Sequence, residues 1–265
     1  EAARLESSTH PNVRANPTIS ENHMTKIVGH RGAAGYAPEN TLRSFERAIE
    51  SGCDRTELDV RLSKDRAVIV IHDEDVSRVT DGKGMVKDMT LAELKKLNCP
   101  SHQTLPTLQE VIDLCKGKIS LQIELKAPGT PLPVEHLITR NGIEEGVVVT
   151  SFELPLVEEI KRANPSLQVG LLFRTLPKTI WQMAQKIPLD FVCPRYNIVT
   201  KALVRAAHLH GVRVYAYHVN RKTGGKRLMA LGVDELGTDF PKLFIQLRDA
   251  VRRGTPPRRG GAFSC

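Results

Sequence analysis

The sequence has no uninterrupted apolar stretch near the length of about 18 residues that a membrane-spanning helix requires. Residues 1–23 also lack the basic region and the apolar segment of a secretory signal, and their polar composition predicts a disordered extension. Apolar residues make up 40% and charged residues 26% of the 265 positions. These proportions are typical of a soluble globular protein with a large core, so we expect no stable insertion into a membrane.

Cysteines are few and show no paired spacing. Their number is odd, and neither a CxxC motif nor zinc-finger spacing occurs among Cys53, Cys99, Cys115, Cys193 and Cys265. This pattern predicts reduced thiols in a cytoplasmic protein rather than a disulfide framework.

Acidic residues are fewer than basic residues, 30 against 38, which gives a net charge of +8. Much of the excess lies in the C-terminal "RDAVRRGTPPRRGG", whose proline and glycine content predicts a disordered basic tail over residues 249–265. Without this tail the case for a polyanionic partner is weak, and we expect no binding to nucleic acid. Residues 24–248 are predicted to form one domain, because α/β barrels commonly reach about 250 residues as a single unit.

Short apolar runs alternate with amphipathic segments from residue 26 onward. The runs predict strands at "KIVG", "RTELDVRL", "AVIVIH", "ISLQIELK", "GVVVTSF", "QVGLLF", "DFVCP", "RVYAYHV" and "ELGTD". The segments between them predict helices at "NTLRSFERAIESG", "TLAELKKLN", "TLQEVIDLCKG", "LPLVEEIKRAN", "KTIWQMAQKI", "TKALVRAAHLHG" and "GGKRLMALG".

The turn-rich "SKDRA" joins the second and third strands, which predicts an antiparallel hairpin with only one strand in the main sheet. The other strands are joined by helical crossovers, and such parallel strands form either an α/β barrel or an open doubly wound sheet. No GxGxxG or GxxxxGK[ST] motif follows a strand, which weighs against a nucleotide-binding open sheet. We therefore predict a TIM (β/α)₈ barrel.

Carboxylates recur at the spacing of one strand face. Glu57 and Asp59 are two residues apart in "TELDV", and Glu124 and Lys126 share one face of "SLQIELK". Three carboxylates that converge in a barrel mouth repel one another unless a cation lies among them. Hard oxygen ligands of this kind suit one divalent cation, Mg²⁺ or Ca²⁺, rather than Zn²⁺.

Two histidines stand where predicted strands open into loops, the place where barrel enzymes carry their chemistry. His30 follows "IVG" and His72 follows "VIVI". Together with Arg31 and Lys126, they are interpreted as a general acid and a general base that serve an anionic substrate.

Six longer segments occur in a fixed order within Lys26–Leu247. They are "HRGAAGYAPENT", "ELDVRLSKDRAVIVIHDEDVSRVTDGKG", "LPTLQEVIDL", "IELK", "VVVTSF" and "VDELGTDFP". In content, order and spacing they resemble the glycerophosphodiester phosphodiesterase family.

The resemblance implies a TIM barrel with a small insertion after the hairpin, at about residues 75–103, and hydrolysis of glycerophosphodiesters to glycerol 3-phosphate and an alcohol. Carried onto matching positions, it implies a cation bound by Glu57, Asp59 and Glu124, with Glu39 nearby. It also implies His30 and His72 as the acid and base, and Arg31 and Lys126 as the phosphate ligands. The family's nucleophile is thought to be the substrate's own 2-hydroxyl, but the sequence leaves direct attack by water open, and also which histidine acts first.

The chain departs from the family at "YHVN", where many members read "WTVN". Tyr217 is predicted to keep an aromatic wall against the glycerol, and His218 to point outward into the helix layer because strand neighbours alternate faces. Asn40 is predicted to be the N-cap of the first helix.

Two other functions remain open from the sequence. One is a phospholipase D on the same barrel, acting on lysophospholipids or sphingolipids, for which the insertion offers few large apolar residues. The other is an inactive barrel used as a binding module, which a lost histidine or carboxylate would indicate; none of the set is missing.

Overall fold

The computed structural model describes residues 24–252, so the predictions for residues 1–23 and for most of the basic tail lie outside the described part. Its strands are β1 Lys26–Gly29, β2 Arg55–Leu62, β3 Val68–Val70, β4 Ser120–Leu125, β5 Val147–Ser151, β6 Gln168–Phe173, β7 Phe191–Pro194, β8 Arg213–Ala216 and β9 Glu235–Thr238. Each lies within one of the apolar runs predicted above.

Helices alternate with these strands, seven of them where the sequence predicted. They are α1 Leu42–Ser51, α2 Leu91–Leu94, α3 Leu108–Cys115, α4 Pro131–Asn141, α5 Leu154–Ala163, α6 Ile180–Lys186, α7 Lys201–Leu209, α8 Lys222–Leu231 and α9 Pro241–Arg252. Helix α9 contains residues 249–252, so the last helix of the barrel ends later than the predicted start of the tail.

The sheet closes into a barrel. Its strands follow the order β1-β2-β4-β5-β6-β7-β8-β9, all pairs are parallel, and β9 pairs with β1 to close the ring. Strand β3 pairs with β2 and runs antiparallel to it. The predicted TIM barrel and its hairpin are confirmed.

The strands are apolar and buried on both faces, as parallel strands covered by helices should be. Every residue of β5, "VVVTS", is buried, and the main core lies between the sheet and the surrounding helices. The insertion, residues 75–103, together with the end of the hairpin packs a separate small apolar cluster: Ile69, Ile71, Val76, Val86, Leu94, Cys99 and Leu105.

Two helices were missed by the sequence prediction, α4 and α9. Both begin at a proline, Pro131 and Pro241. Proline is tolerated in the first turn of a helix because the N–H it lacks has no intrahelical partner there.

The predicted N-cap of α1 is wrong by one residue. The side chain of Thr41 accepts the hydrogen bond from the Ser44 N–H, and Asn40 instead lies in the left-handed region with φ 55°. Its amide donates to the Asp59 carboxylate at 2.9 Å, so the Asn40 side chain contacts the carboxylate cluster and does not cap the helix.

No helix within residues 24–252 has the length and apolar composition needed to cross a membrane. The four described cysteines are free, and burial raises the pKa of Cys53 and Cys115 to about 12, which makes both thiols poor nucleophiles. The cytoplasmic location stays a prediction.

Candidate active site

A cavity of about 280 Å³ opens at the carboxyl ends of the barrel strands, where the sequence predicted the chemistry. It is lined by His30, Arg31, Glu57, His72, Gln122, Glu124, Lys126, Phe152, Leu172, Arg174, Arg195, Tyr215, Tyr217 and His218. A larger groove of about 720 Å³ lies at the amino ends of β2, β4 and β5. We assign the chemistry to the smaller cavity because the convergent carboxylates and histidines are there.

The three predicted carboxylates lie together on neighbouring strands. Glu57 and Asp59 belong to β2 and Glu124 to β4, with Asp59 and Glu124 directly side by side in the strand register. All three are buried, and one oxygen of each lies within 4.8 Å of the others. Strand alternation therefore brings these side chains to one interior face, as the sequence indicated.

Burial and mutual repulsion oppose the ionisation of two of the three carboxylates. Burial and the neighbouring Asp59 raise the pKa of Glu57 and of Glu124. Burial acts on Asp59 in the same direction, but Arg31 and Lys126 outweigh it and lower the pKa of that carboxyl. Such an arrangement of hard oxygen ligands fits a divalent cation.

Two cations approach the cluster. The Lys126 Nζ lies 2.6 Å from Glu124 Oε1 and 3.6 Å from Asp59 Oδ1. The Arg31 Nε lies 3.2 Å from Asp59 Oδ2, and one terminal nitrogen donates to Glu39 at 2.7 Å. Glu39 therefore holds Arg31 and is not a member of the carboxylate cluster.

The tight turn after β1 directs Arg31 into the cavity. Arg31 has φ 50°, and its backbone N–H donates to Glu57 Oε2 at 2.8 Å. Gly32 follows with φ 84°, and a Cβ added there would lie 2.3 Å from Ser44 Oγ on α1. Only glycine fits this close approach of the turn to the helix.

His30 is held on two sides. Its Nδ1 lies 2.7 Å from Asp239 Oδ1, and its ring stacks on His218 with centroids 4.1 Å apart and planes 19° apart. Burial alone would lower the pKa of His30, but the hydrogen bond to Asp239 and the charge of Glu57 outweigh it, so the pKa is raised above 6.5.

The prediction for His218 is wrong: it lines the cavity instead of pointing outward. Strand β8 ends at Ala216, so the alternation of faces no longer governs Tyr217 and His218. Ligand atoms of His30, His218 and Asp239 also lie within 4.8 Å of one another. Nearly parallel stacked rings cannot both direct an in-plane lone pair at one ion, however, so we do not assign a metal to this group.

His72 has a different environment. Its Nδ1 lies 2.6 Å from Asp73 Oδ1, and Asp73 also accepts from the Nε of Arg78 in the insertion. Arg78 donates in addition to both carboxylate oxygens of Glu39, at 2.7 and 2.9 Å. Burial lowers the pKa of His72, and Asp59 and Asp73 offset only part of that effect.

Tyr217 lies on the aromatic side of the cavity. Its ring meets Phe152 edge-on with centroids 5.7 Å apart, and its hydroxyl donates to the Phe173 carbonyl at 3.1 Å. The ring is therefore placed to form the wall that the sequence predicted.

Sequence reasoning missed several residues that contact or line this site. Arg174, Arg195 and Asp239 directly follow β6, β7 and β9, so the rule that selected His30 could have found them. Asp73 is adjacent to His72 in sequence, whereas nothing in the local pattern indicates the contacts of Arg78.

Both the sequence and the fold are similar to those of known proteins. Residues 30–243 match the model of the Glycerophosphoryl diester phosphodiesterase family. The chain belongs to this family.

A glycerophosphodiester phosphodiesterase of Caldanaerobacter subterraneus subsp. tengcongensis is 37% identical over 243 residues, which cover 87% of this chain and 99% of the relative. The one from Bacillus altitudinis is 35% identical over 246 residues, covering 86% and 100%. An Oleispira antarctica phosphodiesterase solved in complex with the product sn-glycerol-3-phosphate superposes with a TM-score of 0.76 at 26% identity, over 85% of this chain and 97% of that one. As a member of the glycerophosphoryl diester phosphodiesterase family, the protein is an enzyme, and the predicted family is confirmed.

Proposed function

We propose that the protein hydrolyses small glycerophosphodiesters to glycerol 3-phosphate and an alcohol in the 280 Å³ cavity. The observation that carries this proposal is the placement of two histidines with oppositely shifted pKa values around three buried carboxylates. The glycerophosphodiester phosphodiesterases among its relatives, and the Oleispira structure that binds glycerol 3-phosphate, support the same substrate class.

Glu57, Asp59 and Glu124 would hold one divalent cation, Mg²⁺ or Ca²⁺. The fit rests on their convergence and on the raised pKa of Glu57 and Glu124, which follows from their burial and from the neighbouring charge of Asp59. A bound cation would neutralise charge on the phosphoryl oxygens.

Arg31 and Lys126 are placed to hold the substrate phosphate. Arg31 is kept in position by Glu39 and Asp59, and Lys126 by Glu124. Arginine and lysine form strong charge-assisted hydrogen bonds to phosphate oxygens, so both would orient the phosphorus towards the histidines. Tyr217 would bound the glycerol on the aromatic side.

The two histidines would exchange protons with the reacting oxygens. With its lowered pKa, His72 is neutral near pH 7 and accepts the proton of the nucleophile. With its raised pKa, His30 holds its proton to higher pH than His72 and would donate it to the leaving alcohol. If the nucleophile is the substrate's 2-hydroxyl, a cyclic phosphate forms, and the roles reverse when water opens it. A substrate lacking that hydroxyl tests this step: it would not be cleaved, whereas direct attack by water would still cleave it.

Product identification tests the function. The purified protein is given glycerophosphocholine, glycerophosphoethanolamine and lysophosphatidylcholine side by side with Mg²⁺ or Ca²⁺. We expect glycerol 3-phosphate and the free alcohol from the first two. Lysophosphatidic acid from the third, without turnover of the others, would contradict the proposal and indicate a lysophospholipase D.

A further inference from the structure

The cavity has two differently charged halves. On the carboxylate side each cation is already paired, Arg31 with Asp59 and Glu39, and Lys126 with Glu124. On the aromatic side Arg174 and Arg195 also line the cavity, are exposed, and form no ion pair with any carboxylate of residues 24–252.

Arg174 shares an aromatic neighbour with Lys126, which is assigned to the substrate phosphate. Its Cζ is 4.8 Å from the centroid of the Phe152 ring, and the Lys126 Nζ is 5.8 Å from the same centroid. One aromatic ring therefore contacts both the lysine assigned to the phosphate and an arginine with no assigned ligand.

Arg195 is tied to the same place through the backbone. Its N–H donates to the Phe173 carbonyl at 3.0 Å, and that carbonyl also accepts from the Tyr217 hydroxyl. Phe173 immediately precedes Arg174, so the loops that carry the two arginines meet at one residue. Both guanidinium groups act electrostatically on the Tyr217 hydroxyl.

The charge on these arginines exceeds what a simple diester requires. A phosphodiester carries a single negative charge, and Arg31, Lys126 and the carboxylate site already serve it. Unpaired guanidinium groups bind carboxylate or phosphate through paired hydrogen bonds. Aromatic rings alone would suit a quaternary ammonium group, but Arg174 already lies over Phe152 and would repel it.

We propose that Arg174 and Arg195 form a second anion-binding subsite, which selects glycerophosphodiesters that carry a further phosphate or carboxylate one short alcohol unit from the scissile phosphorus. This inference rests on the proposed function. It names the substrate class within it and disfavours cationic head groups such as choline.

Four substrates test the subsite by kcat/KM. 1,3-Bis(sn-glycero-3-phospho)glycerol carries a second phosphate, glycerophosphoserine a carboxylate, glycerophosphoglycerol an uncharged alcohol and glycerophosphocholine a cation. We expect at least one anionic compound to exceed the uncharged one by about tenfold, the effect of a single charge-assisted hydrogen bond. The compound preferred identifies the anion as phosphate or carboxylate.

Variants that remove one positive charge test whether Arg174 and Arg195 cause the preference for anionic substrates. Arg174→Gln and Arg195→Gln should each reduce the ratio of anionic to uncharged kcat/KM by about tenfold. Arg47→Gln, at an exposed arginine on the outer helix α1, is the matched control and should keep the wild-type ratio. Added salt should reduce the wild-type ratio as well, because the subsite is open to solvent.

Equal kcat/KM for all four substrates, or a ratio unchanged in both variants, would overturn the subsite while leaving the proposed activity intact. Failure of the proposed function would instead appear as no turnover of any of the four. Calorimetric titration of His72→Ala with the bis-phosphate compound and with glycerophosphoglycerol judges the subsite independently of turnover. Equal affinity for the two would overturn it, and tighter binding of the bis-phosphate compound would support it.

Discussion

His30 and His72 make the same kind of hydrogen bond through Nδ1, but the charges around the two rings differ. Each ring places Nδ1 about a hydrogen bond from an aspartate, 2.7 Å from Asp239 and 2.6 Å from Asp73. The His30 side chain is 14% exposed and that of His72 32% exposed, yet the more buried imidazole has the raised pKa.

The difference in pKa comes from the charges around each ring. Burial, Arg31 and Lys126 lower the pKa of His72, whereas Asp239 and Glu57 outweigh burial and raise that of His30. Asp73 is shared with the guanidinium of Arg78, which offsets its charge, whereas Asp239 is held by the neutral amide of Asn220. Glu57 adds further negative charge beside His30. These surroundings let His30 hold its proton to higher pH than His72, which is the order that an acid and a base require.

The largest expected effect is that of chelation, which removes the cation both histidines would work beside. We expect exhaustive chelation to abolish turnover and added Mg²⁺ or Ca²⁺ to restore it. Kinetics with and without chelator measure this. Full activity after chelation would leave the carboxylate cluster without the role assigned to it.

Loss of either imidazole should be next in size. His30→Ala and His72→Ala should each reduce kcat by roughly 10²-fold or more, because each removes one proton carrier while the carboxylates stay in place. Steady-state kinetics at saturating metal measure this. A variant with near wild-type kcat would show that its histidine does not transfer a proton.

Substitution of each aspartate should shift the pKa of the histidine that it contacts and should therefore move one limb of the pH profile. In the intact enzyme, activity should rise as pH increases through the lowered pKa of His72 and fall as pH passes the raised pKa of His30, giving a bell-shaped profile. Asp239→Asn removes the anion that stabilises charged His30, so the alkaline limb should move to lower pH. Asp73→Asn should move the acid limb to lower pH. We expect about tenfold losses of kcat for each, and limbs that move in neither variant would contradict the account.

Substitution of Arg78 should have the smallest effect on kcat and should move the acid limb in the direction opposite to that expected for Asp73→Asn. Arg78→Gln leaves the charge of Asp73 uncompensated, so the pKa of His72 should rise and the acid limb should move to higher pH. A loss of a few-fold in kcat is expected because Arg78 positions Asp73 and Glu39 without touching the substrate cavity. Arg47→Gln serves as the control. A pH profile identical to that of the wild type would show that Arg78 does not influence the pKa of His72.

The sequence was sufficient for features that depend on local periodicity. Alternation along β2 and β4 placed Glu57, Asp59 and Glu124 on one face, and the apolar runs located every strand of the barrel. His218 was misjudged because alternation was extended beyond the end of β8. Helices α4 and α9, which both begin at a proline, were not predicted.

Contacts between distant segments could not be read in the same way. His30 and Asp239 are 209 residues apart and meet only because β9 closes the barrel against β1. Arg78 reaches Glu39 from the insertion, 39 residues away, after the hairpin has folded back. These two contacts therefore became visible only in three dimensions.

In the proposed mechanism the carboxylates bind the cation and the histidines transfer protons. Calorimetric titration of Mg²⁺ or Ca²⁺ into the intact protein, Glu57→Ala, His30→Ala and His72→Ala tests it most directly. We expect Glu57→Ala to lose metal affinity, with part of its rate recovered at raised metal concentration, and both histidine variants to bind the cation as the intact protein does. If either histidine variant lost the metal as severely as Glu57→Ala, that histidine would be a ligand and its role as acid or base would be wrong.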